Sequence, residues 1–492
     1  MIGENMNEKF QMKDRMNLVN KISLIKNKVE NPELYRTLDD IKNKILFNKI
    51  NETNDINVLL NIPADVDIRG KPKNTDYVKK KWEEFLERNE NSFLSLYIHI
   101  PFCLGGRCKF CREYSTILEN KIELDKYLKY LAEEMNYLAP LFSKKVFSTL
   151  YVGGGTPSIF SSEQLEFLFG QVFKNFKIDL TKECTIEMSP ETTTEEKIDV
   201  VKKYGFNRIS LGIQSLDKKV LMINNRERIP YNKLKKLFEY IKTKHFTVFT
   251  TDLMVGLTGD TSKTFLTSLE KLIKLGSDAI VFGRLVKSPI DRASLIKEKY
   301  PNQKGNTNII PDYKSADYSF PELYMEGEIL LKKYNYNKAI GGLDTSGADT
   351  HFFKEGVNPF YPIYTVRNKK NDNSVLGIGI GAASKISYEL EYANITNLKS
   401  DYSFDFTCYY VYERTVREQM IHYLIGSLIA EFENSQISIS DFKKKFKRDI
   451  FEEFKEELDI LKWMGMLVIN NDRIILFPKN DYEKVFATRI FA

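Results

Sequence analysis

From Ser92 onward, short apolar strands alternate with helix-length amphipathic stretches, and few folds accommodate that alternation. Strands are predicted at Leu94 to Ile100, Thr149 to Val152, Cys184 to Met188, Arg208 to Gly212, Thr247 to Val255 and Ala279 to Phe282. Helices are predicted between them at Ile122 to Leu138, Ser162 to Phe173, Thr194 to Tyr204, Asn232 to Lys244 and Ser262 to Leu275. Six such units predict an α/β fold whose parallel sheet forms a partial (β/α)6, TIM-like barrel. In such barrels chemistry gathers at the C-terminal ends of the strands. The polar and glycine-rich loops here, after Ile100, Val152, Met188, Gly212 and Met254, all follow strands.

At 492 residues the chain exceeds what one core usually serves, so further modules are expected. Residues 1–90 read as an N-terminal helical extension, with Leu34, Leu38, Ile41 and Ile45 at helical spacing. Residues 91–300 carry the core barrel. Residues 301–400 are less regular and contain the Gly-rich turn Leu376 to Ser384. Residues 401–492 predict helices at Tyr409 to Glu433, Ser438 to Phe446 and Ile450 to Met464, then strands at Leu467 to Ile469 and Arg473 to Phe477. That order resembles a winged-helix module, which predicts a C-terminal winged-helix-like α+β domain.

Net charge is +6 over 73 basic and 67 acidic side chains, too dilute for a nucleic-acid footprint without a clustered basic stripe. Lys79 to Lys81 and Lys443 to Lys445 read as solvated helix faces. No apolar run long enough to span a membrane is present, and Met1 to Arg15 is polar, so neither a membrane nor a nucleic-acid partner is expected and the location is read as cytoplasmic. Of the five cysteines, Cys184 and Cys408 stand alone in apolar surroundings and read as buried small hydrophobes. His245 and His422 read as ordinary surface or core histidines.

The other three, Cys103, Cys108 and Cys111, fall on one loop directly after the first barrel strand. Four-iron clusters are usually held by four thiolates, so three would leave one iron open to a further ligand. Zinc is the competing reading. It wants a fourth protein ligand, and only His99, on the strand beneath, lies near in sequence.

With its neighbours this loop resembles the radical S-adenosylmethionine (SAM) superfamily, in its HemN-like branch of oxygen-independent coproporphyrinogen III oxidases. The resemblance covers about residues 90–480. It rests on Tyr97-Ile-His-Ile-Pro-Phe-Cys103, Gly153-Gly-Gly-Thr-Pro157, Ile186-Glu-Met-Ser-Pro190, Arg208-Ile-Ser-Leu-Gly-Ile-Gln-Ser215, Asn225-Arg-Glu227 and Asp252-Leu-Met-Val-Gly-Leu257, in that order. It implies a [4Fe–4S] cluster on Cys103, Cys108 and Cys111 that reductively cleaves SAM to a 5′-deoxyadenosyl radical. Tyr97, Phe110, Gly154, Glu187 and Ala383 would touch the cluster-bound SAM. Gly155, Thr156, Gln214, Arg226, Asp252 and Leu285 would line a second SAM site.

Two departures from the family pattern bear on the reaction. Leu104 to Arg107 place four residues between the first two cysteines, against three in the family. Arg112 and Glu113 follow Cys111 where the oxidases carry a fourth cysteine, and residues 55–90 do not resemble the oxidases' leading segment. These departures favour a class C-type methyltransferase acting on an aromatic or heterocyclic small molecule. Coproporphyrinogen III oxidation on a tetrapyrrole is the alternative, and an electron donor such as flavodoxin or ferredoxin is implied by either. A haem-chaperone-like protein is the alternative of another class. That subgroup carries a His-Asn motif ahead of the Gly-rich turn, whereas here Phe352 and Phe353 follow His351.

Overall fold

In the computed structural model the described residues are 16–46, 70–89, 92–106, 108–111, 113–226, 229–284, 320–343, 349–357, 373–394, 408–429, 436–477, 483, 486–487 and 489–491. The chain divides into two compact units, 61–413 and 1–60 with 414–492.

Thirteen strands of the larger unit form one sheet. In chain order they are β1 (Lys71–Asn74), β2 (Leu94–Ile100), β3 (Thr149–Gly154), β4 (Cys184–Met188), β5 (Arg208–Gln214), β6 (Val248–Val255) and β7 (Ala279–Arg284). They continue as β8 (Tyr336–Leu343), β9 (Asp349–Lys354), β10 (Ser374–Ile378), β11 (Ala383–Ile386), β12 (Leu390–Ala393) and β13 (Cys408–Glu413). The spatial order is β1-β13-β12-β11-β10-β2-β3-β4-β5-β6-β7-β9-β8. Strands β2 to β6 each pair in parallel with the next, so that β2 to β7 form the six-stranded parallel arrangement expected of the barrel.

A period of two divides each of these strands between two surfaces. Leu96, Ile98, Leu150, Val152, Ile186, Ile209, Leu211, Phe249 and Phe282 join the apolar core with helix residues such as Leu124, Leu165, Phe169, Ile198, Leu234 and Phe265. The alternate residues touch one another on the opposite, concave face. Thr149 Oγ1 donates to Ser95 Oγ at 2.8 Å, Arg208 Nε donates to Thr250 Oγ1 at 3.1 Å, and Arg208 pairs with Glu183 at 3.1 Å with both side chains at most 2% exposed. Removing either member of that ion pair would strand a buried charge, whereas the intact pair is well satisfied.

The segment read as less regular extends the sheet on both sides. β10 lies parallel to β2, from Ser374 beside Leu94 to Ile378 beside Ile98, and β11, β12 and β13 follow as antiparallel strands. The Gly-rich turn after β10 is tied down from helix Ile122–Leu138. Gly379 N donates to Glu134 Oε2 at 2.7 Å, and Tyr409 Oη and Asn394 Nδ2 donate to Glu134 Oε1 at 2.7 and 3.1 Å. Tyr127 Oη accepts from Ile380 N at 3.0 Å and donates to His99 O at 2.7 Å.

Three sequence readings are corrected. Tyr409 to Glu433 is not one helix: Cys408–Glu413 is β13, and the helix begins at Val416. The run Tyr409-Tyr-Val-Tyr412 is aromatic and β-branched, and it is paired on both edges, by β12 and by β1. Ile450 to Met464 breaks at Phe454, whose backbone (φ −130°, ψ 36°) ends one helix and starts the next. Cys184 is buried, but Cys408 is only partly so.

The smaller unit has its own core, with Leu18, Ile22 and Leu38 packed among Phe442, Phe454, Leu461 and Phe491. Its sheet orders the strands Gln436–Ser438, Arg473–Leu476 and Leu467–Asn470, with helices Ile439–Phe446 and Lys455–Trp463 between the first and the last two. Among the described residues no helix is long and apolar enough to cross a membrane.

Candidate active site

The cysteine loop leaves the C-terminal end of β2 and is held at both flanks. Leu118 N donates to Cys103 O at 2.9 Å, Lys109 N to Asn224 O at 3.0 Å, and Cys111 N to Cys108 O at 3.1 Å. Thr156 Oγ1 lies 3.6 Å from Cys103 Sγ, and Arg226 Nη1 lies 3.8 Å from Cys108 Sγ. Burial pushes the Cys103 thiol up, and the Thr156 hydroxyl and the Arg226 charge oppose that shift. A guanidinium set beside sulfur favours thiolate, the form that binds metal.

The loop after β3 supplies the wall against which these cysteines rest. Gly154 has φ +106°, and a Cβ there would come within 2.7 Å of the His99 ring. A Cβ on Gly155 would lie 2.7 Å from Phe102 O and 3.1 Å from Cys103 Sγ. Backbone and sulfur therefore occupy the volume a side chain would need. Gly155→Ala is expected to displace Cys103 and lower the iron content of reconstituted protein. Full iron loading in that variant would contradict the contact.

Further round the concave face lie two enclosed carboxyls. Glu187, at the end of β4, accepts from Tyr151 Oη at 2.5 Å and from Gly154 N at 3.3 Å. Desolvation pushes it up to about 8, with the Tyr151 hydrogen bond opposing. Asp252 on β6 accepts from Ser210 Oγ at 2.9 and 3.0 Å, and desolvation raises it to about 6. Arg226 spans the floor between cysteines and strands, donating to Gly212 O at 2.7 Å and Ser189 Oγ at 3.3 Å and pairing with Glu191 at 3.6 Å. Gln214, which ends β5, has φ +67°, an uncommon conformation for a side-chain-bearing residue, and its amide folds over Gly212.

Thus Gly154, Gly155, Thr156, Glu187, Gln214, Arg226, Asp252 and two of the cysteines meet at one end of the barrel. Tyr97 packs with Val375, Ala382 and Tyr151 on the same face, and Ala383 opens β11 next to that cluster. Phe110 is half-buried in the loop itself, and Leu285 lies outside the described residues. Tyr151, Ser189 and Ser210 were missed in the sequence. The signal was available for Tyr151 and Ser210, because each lies two residues before a glycine of a quoted motif, Gly153 and Gly212 respectively, and so on the same side of its strand.

Among the described residues no group of three or more His, Cys, Asp or Glu side chains is gathered tightly enough to hold a metal ion by itself. The donor chemistry nevertheless fits an iron–sulfur cluster better than zinc. None of the three loop thiols is tied up in a disulfide, and Arg226 offers a cation beside Cys108. The fourth ligand a zinc ion would need is committed elsewhere, since His99 Nε2 lies 2.8 Å from Tyr114 O and Nδ1 lies 2.8 Å from Tyr97 Oη. A carbonyl only accepts, so Nε2 carries the proton, and in the neutral ring Nδ1 accepts from Tyr97.

Comparison with known proteins agrees with this geometry. The model of the radical SAM superfamily matches residues 97–272. The oxygen-independent coproporphyrinogen III oxidase of Synechocystis sp. is 36% identical over 188 residues, 38% of this chain and 40% of the relative. The solved coproporphyrinogen III oxidase (HemN) of Escherichia coli superposes over 85% of this chain and 94% of its own, with a TM-score of 0.68 at 23% identity. Residues 97–272 are a radical SAM domain of the HemN-like kind. A [4Fe–4S] cluster and SAM are what such a domain uses. A heme chaperone, HemW of Buchnera aphidicola, is 28% identical over 246 residues, 50% of this chain and 61% of the relative. The match to the Synechocystis oxidase spans about two fifths of that protein's length, while the Helicobacter pylori oxidase matches over 78% of its own length and 75% of this chain at 26% identity.

Proposed function

We propose that this chain is a HemN-like radical SAM enzyme acting on a tetrapyrrole, with oxygen-independent coproporphyrinogen III oxidation as its reaction. The observation that carries the reading is the convergence of the cysteine loop, the Gly153–Gly155 turn, Glu187, Arg226 and Asp252 at one end of the barrel. The relatives named as oxidases turn the reading away from methyl transfer, which the departures from the family pattern had favoured. Cys103, Cys108 and Cys111 would hold the cluster, whose chemistry is delivery of one electron to bound SAM.

The chain's own residues then do the rest. Glu187 and the Gly154 amide offer an acceptor and a donor side by side, suited to the amino and carboxylate groups of an amino-acid ligand. Asp252 and Gln214 face the volume where a second SAM would lie. Arg226 would keep positive charge beside the cysteine sulfurs. In the proposed reaction each of two propionate side chains would lose CO2, a hydrogen atom taken up by a 5′-deoxyadenosyl radical, and an electron passed to an external one-electron acceptor, which leaves a vinyl group.

The decisive experiment is anaerobic incubation of reconstituted protein with SAM, dithionite and coproporphyrinogen III. Protoporphyrinogen with 5′-deoxyadenosine is the expected product pair. A methylated product, or 5′-deoxyadenosine without porphyrinogen turnover, would remove the oxidase reading. The match to HemW supports one second reading, a haem-handling protein, which predicts haem binding without release of 5′-deoxyadenosine.

A further inference from the structure

His351 lies on β9, which pairs antiparallel with β7 beyond the six parallel strands. Its register decides where it faces. Asp252 on β6 is opposite Val281 on β7, and Val281 is opposite His351 on β9. Residues opposite one another on neighbouring strands project to the same side of the sheet. His351 therefore shares the concave face with Asp252, two strand spacings away, or about 10 Å. Phe352, its neighbour, points the other way into the apolar core beside Phe282, which confirms the alternation.

The imidazole is 6% exposed, and among the described residues its Nδ1 has no hydrogen-bond partner. A buried nitrogen left in that state costs about 1–3 kcal/mol, and the surroundings do not relieve it by ionisation. Burial, and then the charge of Arg208, hold the ring down at about 3, so it is neutral at any working pH. The Phe353 ring, nearly parallel to it at 6.3 Å, fixes the imidazole from one side. A rigid, neutral nitrogen, buried and unpaired among the described residues on the face that carries Asp252, is a contact that a ligand on that face can complete.

We infer that His351 forms a hydrogen bond to an oxygen-bearing group, hydroxyl or carboxylate, of the ligand that Asp252 also faces. Two sources share that chemistry, the ribose of a SAM molecule and a propionate of the substrate. The inference rests on the proposed function only for the second of them. An adenosine-sized or tetrapyrrole-sized ligand spans the distance between the two side chains, and none of the six quoted motifs includes this position.

The test compares His351→Phe, which keeps the ring and removes the nitrogen, with His351→Asn, whose side-chain amide can take the place of Nδ1. SAM binding to the anaerobic, cluster-loaded protein is measured calorimetrically, KM and kcat are measured for coproporphyrinogen III, and thermal melting is followed without ligand. His351→Phe is expected to melt no lower than wild type and to lose about tenfold in affinity for one ligand, with His351→Asn regaining most of it. Weakened SAM binding assigns the contact to ribose, and a raised KM with unchanged SAM binding assigns it to propionate. A His351→Phe protein that melts higher and binds both ligands as wild type overturns the inference. If wild-type protein turns over no coproporphyrinogen III, the functional reading fails on its own, and the SAM titration alone then decides His351: unchanged binding overturns the contact.

Discussion

Cys108→Ala protein is expected to fold, to bind substoichiometric iron and sulfide, and to show no turnover. The thiol is only partly buried and its backbone neighbours are held by loop hydrogen bonds that do not involve the side chain. Stability should therefore change little, while the donor set falls from three thiols to two. Two consequences distinguish this from general damage. The electron resonance signal of the reduced protein disappears, and thermal melting of the metal-free form stays close to wild type. Retention of the signal would exclude Cys108 as a ligand, and the same measurement applies to Cys103 and Cys111.

Glu187→Gln is expected to act in opposite directions on binding and on stability. The carboxyl is enclosed by the barrel walls, and desolvation lifts it from 4.5 to about 8. Between those values the folded protein holds a proton that the unfolded chain has released, so stability falls as pH rises through that window and the loss is complete above about 8. A neutral glutamine removes the liability. Allowing for its partial exposure, the variant should gain about 1–3 kcal/mol at pH 8 and nothing at pH 4. Binding should go the other way, with SAM held about 10- to 100-fold more weakly once the charge is gone. Melting curves at both pH values, paired with SAM titrations, check both halves. A variant less stable than wild type at pH 8 would show that the enclosed carboxyl is not under strain.

Much of this site was legible because strands and turns encode it locally. The six barrel strands could be read from apolar runs of strand length, and Leu94–Ile100, Cys184–Met188 and helix Ser262–Leu275 fall where the pattern places them. The glycines of Gly153–Gly155 and the polar residues that end β4 and β6 were visible for the same reason. What escaped notice depends on partners far along the chain. Nothing local tells that Ser374–Ile378 will lie against Leu94–Ile98, nor that Cys408–Glu413 will be claimed by strands on both edges. The placement of His351, whose Nδ1 lacks a partner among the described residues, is likewise invisible in Asp349-Thr-His-Phe-Phe-Lys354, because it follows from the register of three strands rather than from any motif.

The parallel seam between β10 and β2 has a bearing on how the molecule is made. β2, which launches the cysteine loop, is among the first barrel strands to leave the ribosome, yet one of its two edges is covered only by residues some 280 positions later. Contacts at such separation form slowly, because a long stretch of chain must be ordered before they reward it. During synthesis the edge of β2 stays open, and the turn that Glu134 and Tyr127 fasten above His99 has yet to arrive. The loop that β2 launches is therefore expected to reach its final geometry only when nearly the whole larger unit has been translated.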